Sequence, residues 1–413
     1  MLDQAIQESL DSKRYFSDPY PLFAQLRSEA PVLRSEIIGG WILTRYTDVE
    51  SVLKDSETFS SKGRVTHLLN QLGEDVQPRL QLLHFHFARG LAHSDAPEHR
   101  RLRGILAHAF TPRMIEGLRA RIREVAEETI STLDGKSDLI AELLTPLPAR
   151  IVGELLGSSQ EDIPDLIRWA HAINGLYEKG GRISEEKALH AEAMLGEMRE
   201  FVRKLVATRK ELQKRGSLTG EEDVISALVA QGDEGLTEDE LLSTAVTLFV
   251  AGHETTTHLL GNGWFALLQR PEIIDQARHR PELIANLVEE MARFDGSVPR
   301  SWRIAKRDTE ISGAQIKAGD LVLPLLAAAN RDPEIFTEPD RFDLQRDARK
   351  HLAYGKGVHV CLGAPLARIE AQEVISAMLR RFTNIELACE PDSLIWREDL
   401  ALRGLRELPV KLS

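Results

Sequence analysis

Two cysteines, Cys361 and Cys389, stand in a chain of 413 residues. That count excludes a disulfide framework and a four-cysteine metal site. Cys361 lies in Tyr354-Gly355-Lys356-Gly357-Val358-His359-Val360-Cys361-Leu362-Gly363, and the residues from Ala364 onward read as a helix. A thiolate in a glycine-rich loop just ahead of a helix gains from close backbone N–H groups and from the positive end of the helix dipole. One thiolate is also the axial ligand in one class of haem site, where it pushes electron density toward iron and favours O–O cleavage. The competing reading is a small buried hydrophobe in a turn, the usual fate of a cysteine outside disulfides. Cys389, in Ile385-Glu386-Leu387-Ala388-Cys389-Glu390, has no such loop and reads as a strand residue.

A second constellation sits inside a long apolar pattern. Thr237 and Glu240 form a capping box at its start, and Gln269-Arg270-Pro271 stops it. Its middle reads Ala251-Gly252-His253-Glu254-Thr255-Thr256. Glycine followed by an acid and hydroxyls is poor material for a buried helix interior. A local widening that admits ligand or water is expected there, with a solvated polar turn as the plainer alternative. Glu290 and Arg293 share a helix face at i, i+3, a spacing that alone is mostly surface decoration. His99 and Arg103 share another at i, i+4. His84-Phe85-His86 puts two imidazoles on one strand face, but no third ligand follows at a workable metal spacing.

Helical periodicity dominates the elements that must position these groups, at 118–133, 148–156, 183–213 and 222–231. Strand-like runs are fewer: Gly40-Trp41-Ile42-Leu43-Thr44, Glu310-Ile311 and Leu321-Val322-Leu323-Pro324. Gly180-Gly181 and 214–221 read as connectors, and no internal repeat is present. The expected fold class is mainly α with a small β-rich region. A net charge of -12 argues against nucleic acid or an anionic membrane surface as partner. Met1-Leu2-Asp3-Gln4 opens no signal-peptide pattern, and the longest apolar stretch, 241–250, is too short to span a bilayer. A cytoplasmic protein without a membrane anchor is expected.

The cysteine loop resembles the haem-binding loop of the cytochrome P-450 family, aromatic-x-x-Gly-x-x-x-Cys-x-Gly. Tyr354, Gly357, Cys361 and Gly363 fill its places, and Leu362-Gly363-Ala364-Pro365-Leu366-Ala367-Arg368 continues as in bacterial members. Tyr354 stands where phenylalanine is commoner, and its hydroxyl needs a partner. The similarity runs from Tyr20-Pro21 to Leu402-Arg403-Gly404-Leu405. It implies a single α+β domain over 1–413, the P-450 fold, with haem between the long central helix and the helix after the cysteine loop. It also implies a soluble bacterial-type monooxygenase, expected to be a monomer.

On that resemblance, Cys361 is the axial ligand of haem b iron, with Tyr354, Gly363 and Ala251 against the cofactor. Thr255 is expected to hydrogen-bond the dioxygen activated there, and Glu254 to connect a proton relay to solvent. His99, Arg103, Arg303 and His359 match the propionate positions, where a planar guanidinium suits a carboxylate. Glu290, Arg293 and Arg341 match a structural triad that supports the haem loop. His253 falls at a variable position and is expected to point away from iron. The family's pocket walls map onto Leu82, Leu83, Phe85, Phe87, Leu248 and Val298. The implied reaction inserts one atom of O2, by hydroxylation or epoxidation, into an apolar polyketide or macrolide, terpenoid or fatty-acid-like molecule. A peroxide-using haem-thiolate enzyme and a non-catalytic haem sensor or carrier are the alternatives. Two cysteines cannot hold an iron–sulfur cluster, and no nucleotide-binding glycine fingerprint is present. Electrons are therefore expected from a ferredoxin with its ferredoxin reductase, or a flavodoxin, docking near Arg100, Arg101 and Lys356.

Overall fold

Polar side chains mark where the long helices begin. Ser184 accepts from Lys187 N at 3.4 Å ahead of Glu185–Lys214, and Asp223 accepts from Ser226 N at 2.7 Å ahead of Val224–Ala230. The expected capping box forms at the central helix, Glu238–Leu268. There Thr237 N donates to Glu240 Oε2 at 2.9 Å and Glu240 N donates to Thr237 Oγ1 at 3.3 Å. Each such cap is worth about 1 kcal/mol, because it satisfies backbone N–H groups that the first helical turn leaves over.

The computed structural model describes residues 1–176, 182–220, 223–232 and 235–413. The Gly180-Gly181 connector and Glu221 lie outside them. Two compact units divide the chain. The first comprises Met1–Ser60, Leu118–Leu147 and Thr255–Ser413; the second comprises Ser61–Gly117 and Pro148–Glu254.

The first unit holds the sheets. Its largest runs in the order Val32–Ser35, Gly40–Leu43, Leu321–Pro324, Arg303–Ala305, Phe59–Ser60, antiparallel except for the second pairing, which is parallel. Leu321–Pro324 is buried throughout, as a central strand covered on both faces must be. Leu43, Val49, Val52, Val322 and Leu352 form the core against it. A smaller sheet joins Lys136–Asp138, Pro409–Leu412 and Ile385–Leu387. The last strand stops two residues short of Cys389, which sits in a bend ahead of Pro391 and not in the strand itself. The helix after the cysteine loop, Ala364–Arg381, packs along Arg119–Ser131, where Glu373 accepts from Arg119 at 2.9 Å and Arg123 at 2.8 Å.

The second unit is helical. His84-Phe85-His86, expected on a strand, lies in the helix Gln81–Arg89. The Glu192 carboxylate, on Glu185–Lys214, accepts from Leu82 N at 2.9 Å and Leu83 N at 2.8 Å and so caps this helix from a distant part of the chain. The two imidazoles then face different surroundings: His84 Nε2 meets Gln77 Oε1 at 3.0 Å, while burial holds the His86 imidazole down at about 3. Among the described residues no group of histidines, cysteines and carboxylates is arranged to hold a metal ion. No described helix is long and apolar enough to cross a membrane.

Candidate functional site

The cysteine loop is built by two glycines in the left-handed region. Gly355 and Gly357 both have φ +70°, which a side chain resists. At Gly357 a Cβ would also lie 2.5 Å from the Leu53 carbonyl oxygen, so no other residue fits. Cys361 N donates to Tyr354 O at 2.9 Å and closes the loop. Gly363 then caps Ala364–Arg381, with Pro365 in its first turn. Cys361 emerges exposed, and so do Val358 and Val360 just ahead of it, which are 45% and 38% accessible. An exposed cysteine is not the small buried hydrophobe of the competing reading. The donor set, one soft sulfur on an apolar rim at a helix N-terminus, fits the axial side of a flat apolar haem.

A charged network braces this loop from behind. The Arg368 guanidinium lies 4.4 Å over the Tyr354 ring and donates to Glu289 at 2.5 and 3.0 Å. His351 accepts from Ala353 N through Nδ1 at 3.1 Å, which leaves Nε2 to donate to Glu289 at 3.0 Å. Burial opposes the Glu289 charge, yet the bonds from His351 and Arg368 outweigh it and hold this carboxyl down at about 2. The Tyr354 hydroxyl is buried with no hydrogen-bond partner, and burial pushes its pKa up. The partner that a tyrosine at this position requires is not supplied.

The Glu290–Arg293 pair is a buried bidentate ion pair. Both side chains are fully inaccessible, with Arg293 Nε and Nη2 donating at 2.7 and 2.8 Å. The third member is not Arg341. That side chain is 60% exposed and donates to Glu338 at 2.9 Å; only its carbonyl reaches inward, accepting from Arg293 Nη2 at 3.3 Å. The guanidinium on Glu290 belongs to Arg346, at 3.2 Å, beside Asp343 N at 2.8 Å. Arg341 and Arg346 lie in one short segment, and spacing alone does not say which of them turns inward.

The central helix runs unbroken through Gly252, contrary to the widening expected there. Its polar groups find partners outside it instead: Asn174 Nδ2 donates to Val250 O at 3.2 Å, and Thr257 Oγ1 donates to Leu144 O at 2.7 Å. A Cβ on Gly252 would approach Val152 Cγ2 at 3.0 Å, so this glycine serves close packing. Thr247, Leu248, Ala251, Gly252 and Thr255 share one face that stays accessible, while neighbouring turns are buried. Glu254 lies off that stripe and is 1% exposed. His253 is fully buried, 5.0 Å from the Phe249 ring, and does not join the open face.

The four basic residues divide between the units: Arg303 and His359 in the first, His99 and Arg103 in the second. Arg303 is buried and donates to Ser301 Oγ at 2.9 Å and Trp302 O at 2.7 Å. Burial, with Arg103 nearby, lowers the His99 pKa. Arg101 is held by Glu240, which weakens its claim as a docking charge.

Of the residues expected on the substrate wall, Leu82, Phe85, Phe87, Leu248 and Val298 are half-buried and Leu83 is buried. In a helix Leu82, Phe85 and Arg89 share a face, and Phe85 is covered by the guanidiniums of Arg89 at 4.6 Å and Arg199 at 5.3 Å. Leu83 is fully buried, Phe87 packs between His86 and His93, and Val298 packs against the core of the first unit. Leu248 remains on the open stripe of the central helix.

The comparisons with known proteins agree with this geometry. The sequence signature described as Cytochrome P450 matches residues 184–405. The chain is 35% identical to the polyketide biosynthesis cytochrome P450 PksS of Bacillus subtilis, covering 97% of both chains. A solved structure of PksS superposes with a TM-score of 0.84, covering 97% of this chain and 98% of that one. Similarity to the 6-deoxyerythronolide B hydroxylase of Saccharopolyspora erythraea is 33% identity over 98% of each chain. P450BioI, solved with hexadec-9Z-enoic acid ligated to acyl carrier protein, gives a TM-score of 0.85 at 33% identity, covering 98% of this chain and all of that one. The chain belongs to the cytochrome P450 family and has its fold. It is a bacterial-type, haem-dependent monooxygenase that inserts one atom of O2 into an organic substrate.

Proposed function

We propose that this enzyme carries haem b on the Cys361 thiolate and oxidises an apolar polyketide- or fatty-acid-like chain. The observation that carries the reading is the Cys361 loop, which leaves the cysteine exposed, just after two exposed valines, at the head of a helix. Haem would supply oxygen activation with the thiolate as electron donor to iron. The chain's own residues then do the rest. Ala251 leaves room on the open helix face, and the Thr255 hydroxyl on the same face donates a hydrogen bond to the reacting oxygen. Glu254 holds and passes the protons that the reaction consumes. His99, Arg103, Arg303 and His359 hold the propionates. Glu290, Arg293 and Arg346 brace the loop.

The substrate class rests on relatives: PksS is named for polyketide biosynthesis, and P450BioI was solved with a fatty acyl group. The single domain, a monomer in the cytoplasm, and a ferredoxin with its reductase as electron source complete the reading, with Arg100 a docking charge. Screening 6-deoxyerythronolide B and hexadec-9Z-enoic acid for the spectral shift of water leaving iron tests the class. A shift with neither compound contradicts it. Thr255→Ala is expected to keep haem and divert electrons to peroxide, and Glu254→Gln to slow turnover about 10²–10⁴-fold. Unchanged coupling in both variants overturns these roles.

A further inference from the structure

Glu254 has almost no access of its own to solvent, since its side chain is 2% exposed. Two residues of the helix Ile163–Asn174, one turn apart, reach it. Asn174 Nδ2 donates both to Glu254 Oε2 and to Val250 O, which fixes the carboxylate against the central helix. His171 Nε2 stands 3.7 Å from the other oxygen, Oε1, and its side chain is 44% exposed. Its outer side lines a cavity of about 560 Å³, together with Pro164, Ile167, Arg168, Lys187 and His190. We propose that His171 is the port through which solvent protons reach Glu254, with Asn174 as the positioning residue that aims the carboxylate at it.

The proposal rests on the reading that Glu254 passes protons onward. In the step itself a His171 Nε2–H bond breaks as a Glu254 Oε1–H bond forms. The imidazolium becomes imidazole, and water in the cavity returns the proton to the ring; no electrons move. The gap exceeds a direct hydrogen bond, so transfer runs through one water or follows a small side-chain rotation. The groups that face His171 set its charge. Arg168 on its own helix is largely neutralised by Asp165 at 3.0 Å and Glu197 at 3.1 Å. Lys187 and His190 of Glu185–Lys214 line the same cavity. On the central helix the His253 ring lies 5.8 Å away, and Glu254 is the carboxylate that favours the imidazolium.

The test uses the haem-loaded full chain. In its reduced, carbon-monoxide-bound form, labelled histidine rings report the His171 titration, identified by its loss in His171→Gln. Glu254→Gln removes the facing carboxylate, so this titration is expected to move to lower pH. A surrogate ferredoxin and reductase then supply electrons, with hexadec-9Z-enoic acid as probe. The readout is hydrogen peroxide released per oxygen consumed. In the parent this share is expected to rise as pH climbs through the His171 midpoint. In His171→Gln the inflection is lost and the share stays high, with the carbon-monoxide band at full intensity. A midpoint indifferent to Glu254→Gln, or a parent-like profile in His171→Gln, overturns the proposal. If Glu254→Gln raises the peroxide share and His171→Gln does not, the relay stands and its port lies elsewhere. If neither does, the relay itself fails.

Discussion

Tyr354 carries a contradiction inside a single side chain. Its ring is wanted: it is stacked by Arg368 and stands 5.5 Å from the His351 ring, in the loop that shapes the sulfur's surroundings. Its hydroxyl is not, because the oxygen is buried without a partner. A buried polar group left unsatisfied costs about 1–3 kcal/mol. Tyr354→Phe keeps the ring and removes that cost, so the urea midpoint is expected to rise with no change in the slope of the transition. A fall in the midpoint would show that the hydroxyl is satisfied by something else in the folded protein. The loop around this residue was readable from sequence because its determinants are local. Two left-handed glycines, one thiol and a helix start lie within ten positions.

At the scale of elements, the helix Ile284–Asp295 is a strut between buried charges. Glu290 and Arg293 are paired where no water reaches them; removing Glu290 leaves Arg293 without its carboxylate, and removing Arg293 leaves Glu290 only Arg346 as a cationic partner. Glu290→Ala or Arg293→Ala is expected to cost about 3–5 kcal/mol in denaturant unfolding. Arg346→Ala is expected to cost less, and Arg341→Ala to change nothing measurable, since Arg341 meets Glu338 at the surface. An Arg341→Ala loss larger than that of Arg346→Ala would reverse the assignment. One position earlier, Glu289 adds a pH dependence. Its folded pKa near 2 lies below the ordinary 4.5, so the unfolded chain takes up this proton first as pH falls. The stabilisation is complete above about 4.5 and drains away between there and about 2. After solvent screening it amounts to on the order of 2 kcal/mol. Glu289→Gln should flatten that part of the acid-unfolding curve; an unchanged curve would remove Glu289 from the account. Sequence spacing placed Glu290 and Arg293 on one face, but their burial and the choice of Arg346 are tertiary. The helix at 81–89 was hidden for the same reason, because its cap, Glu192, comes from elsewhere in the chain.

Across the whole molecule, the long helices and the cysteine loop were legible, while the helix at 81–89 was not. Periodicity and caps are written locally, and the capping box at Thr237 formed as expected. Which side of a short helix faces a cavity depends on partners far away in sequence, as Phe85 between Arg89 and Arg199 illustrates. The central claim of the proposed function is a haem bound through the Cys361 thiolate. That claim is tested most directly by the absorption band of the reduced, carbon-monoxide-bound protein, measured on the parent and on Cys361→His, Cys361→Ala and Cys389→Ala. Ligation by Cys361 predicts the strongly red-shifted band of thiolate-bound haem in the parent and in Cys389→Ala, and its loss in both Cys361 variants. A band that survives Cys361→Ala and disappears in Cys389→Ala would contradict it.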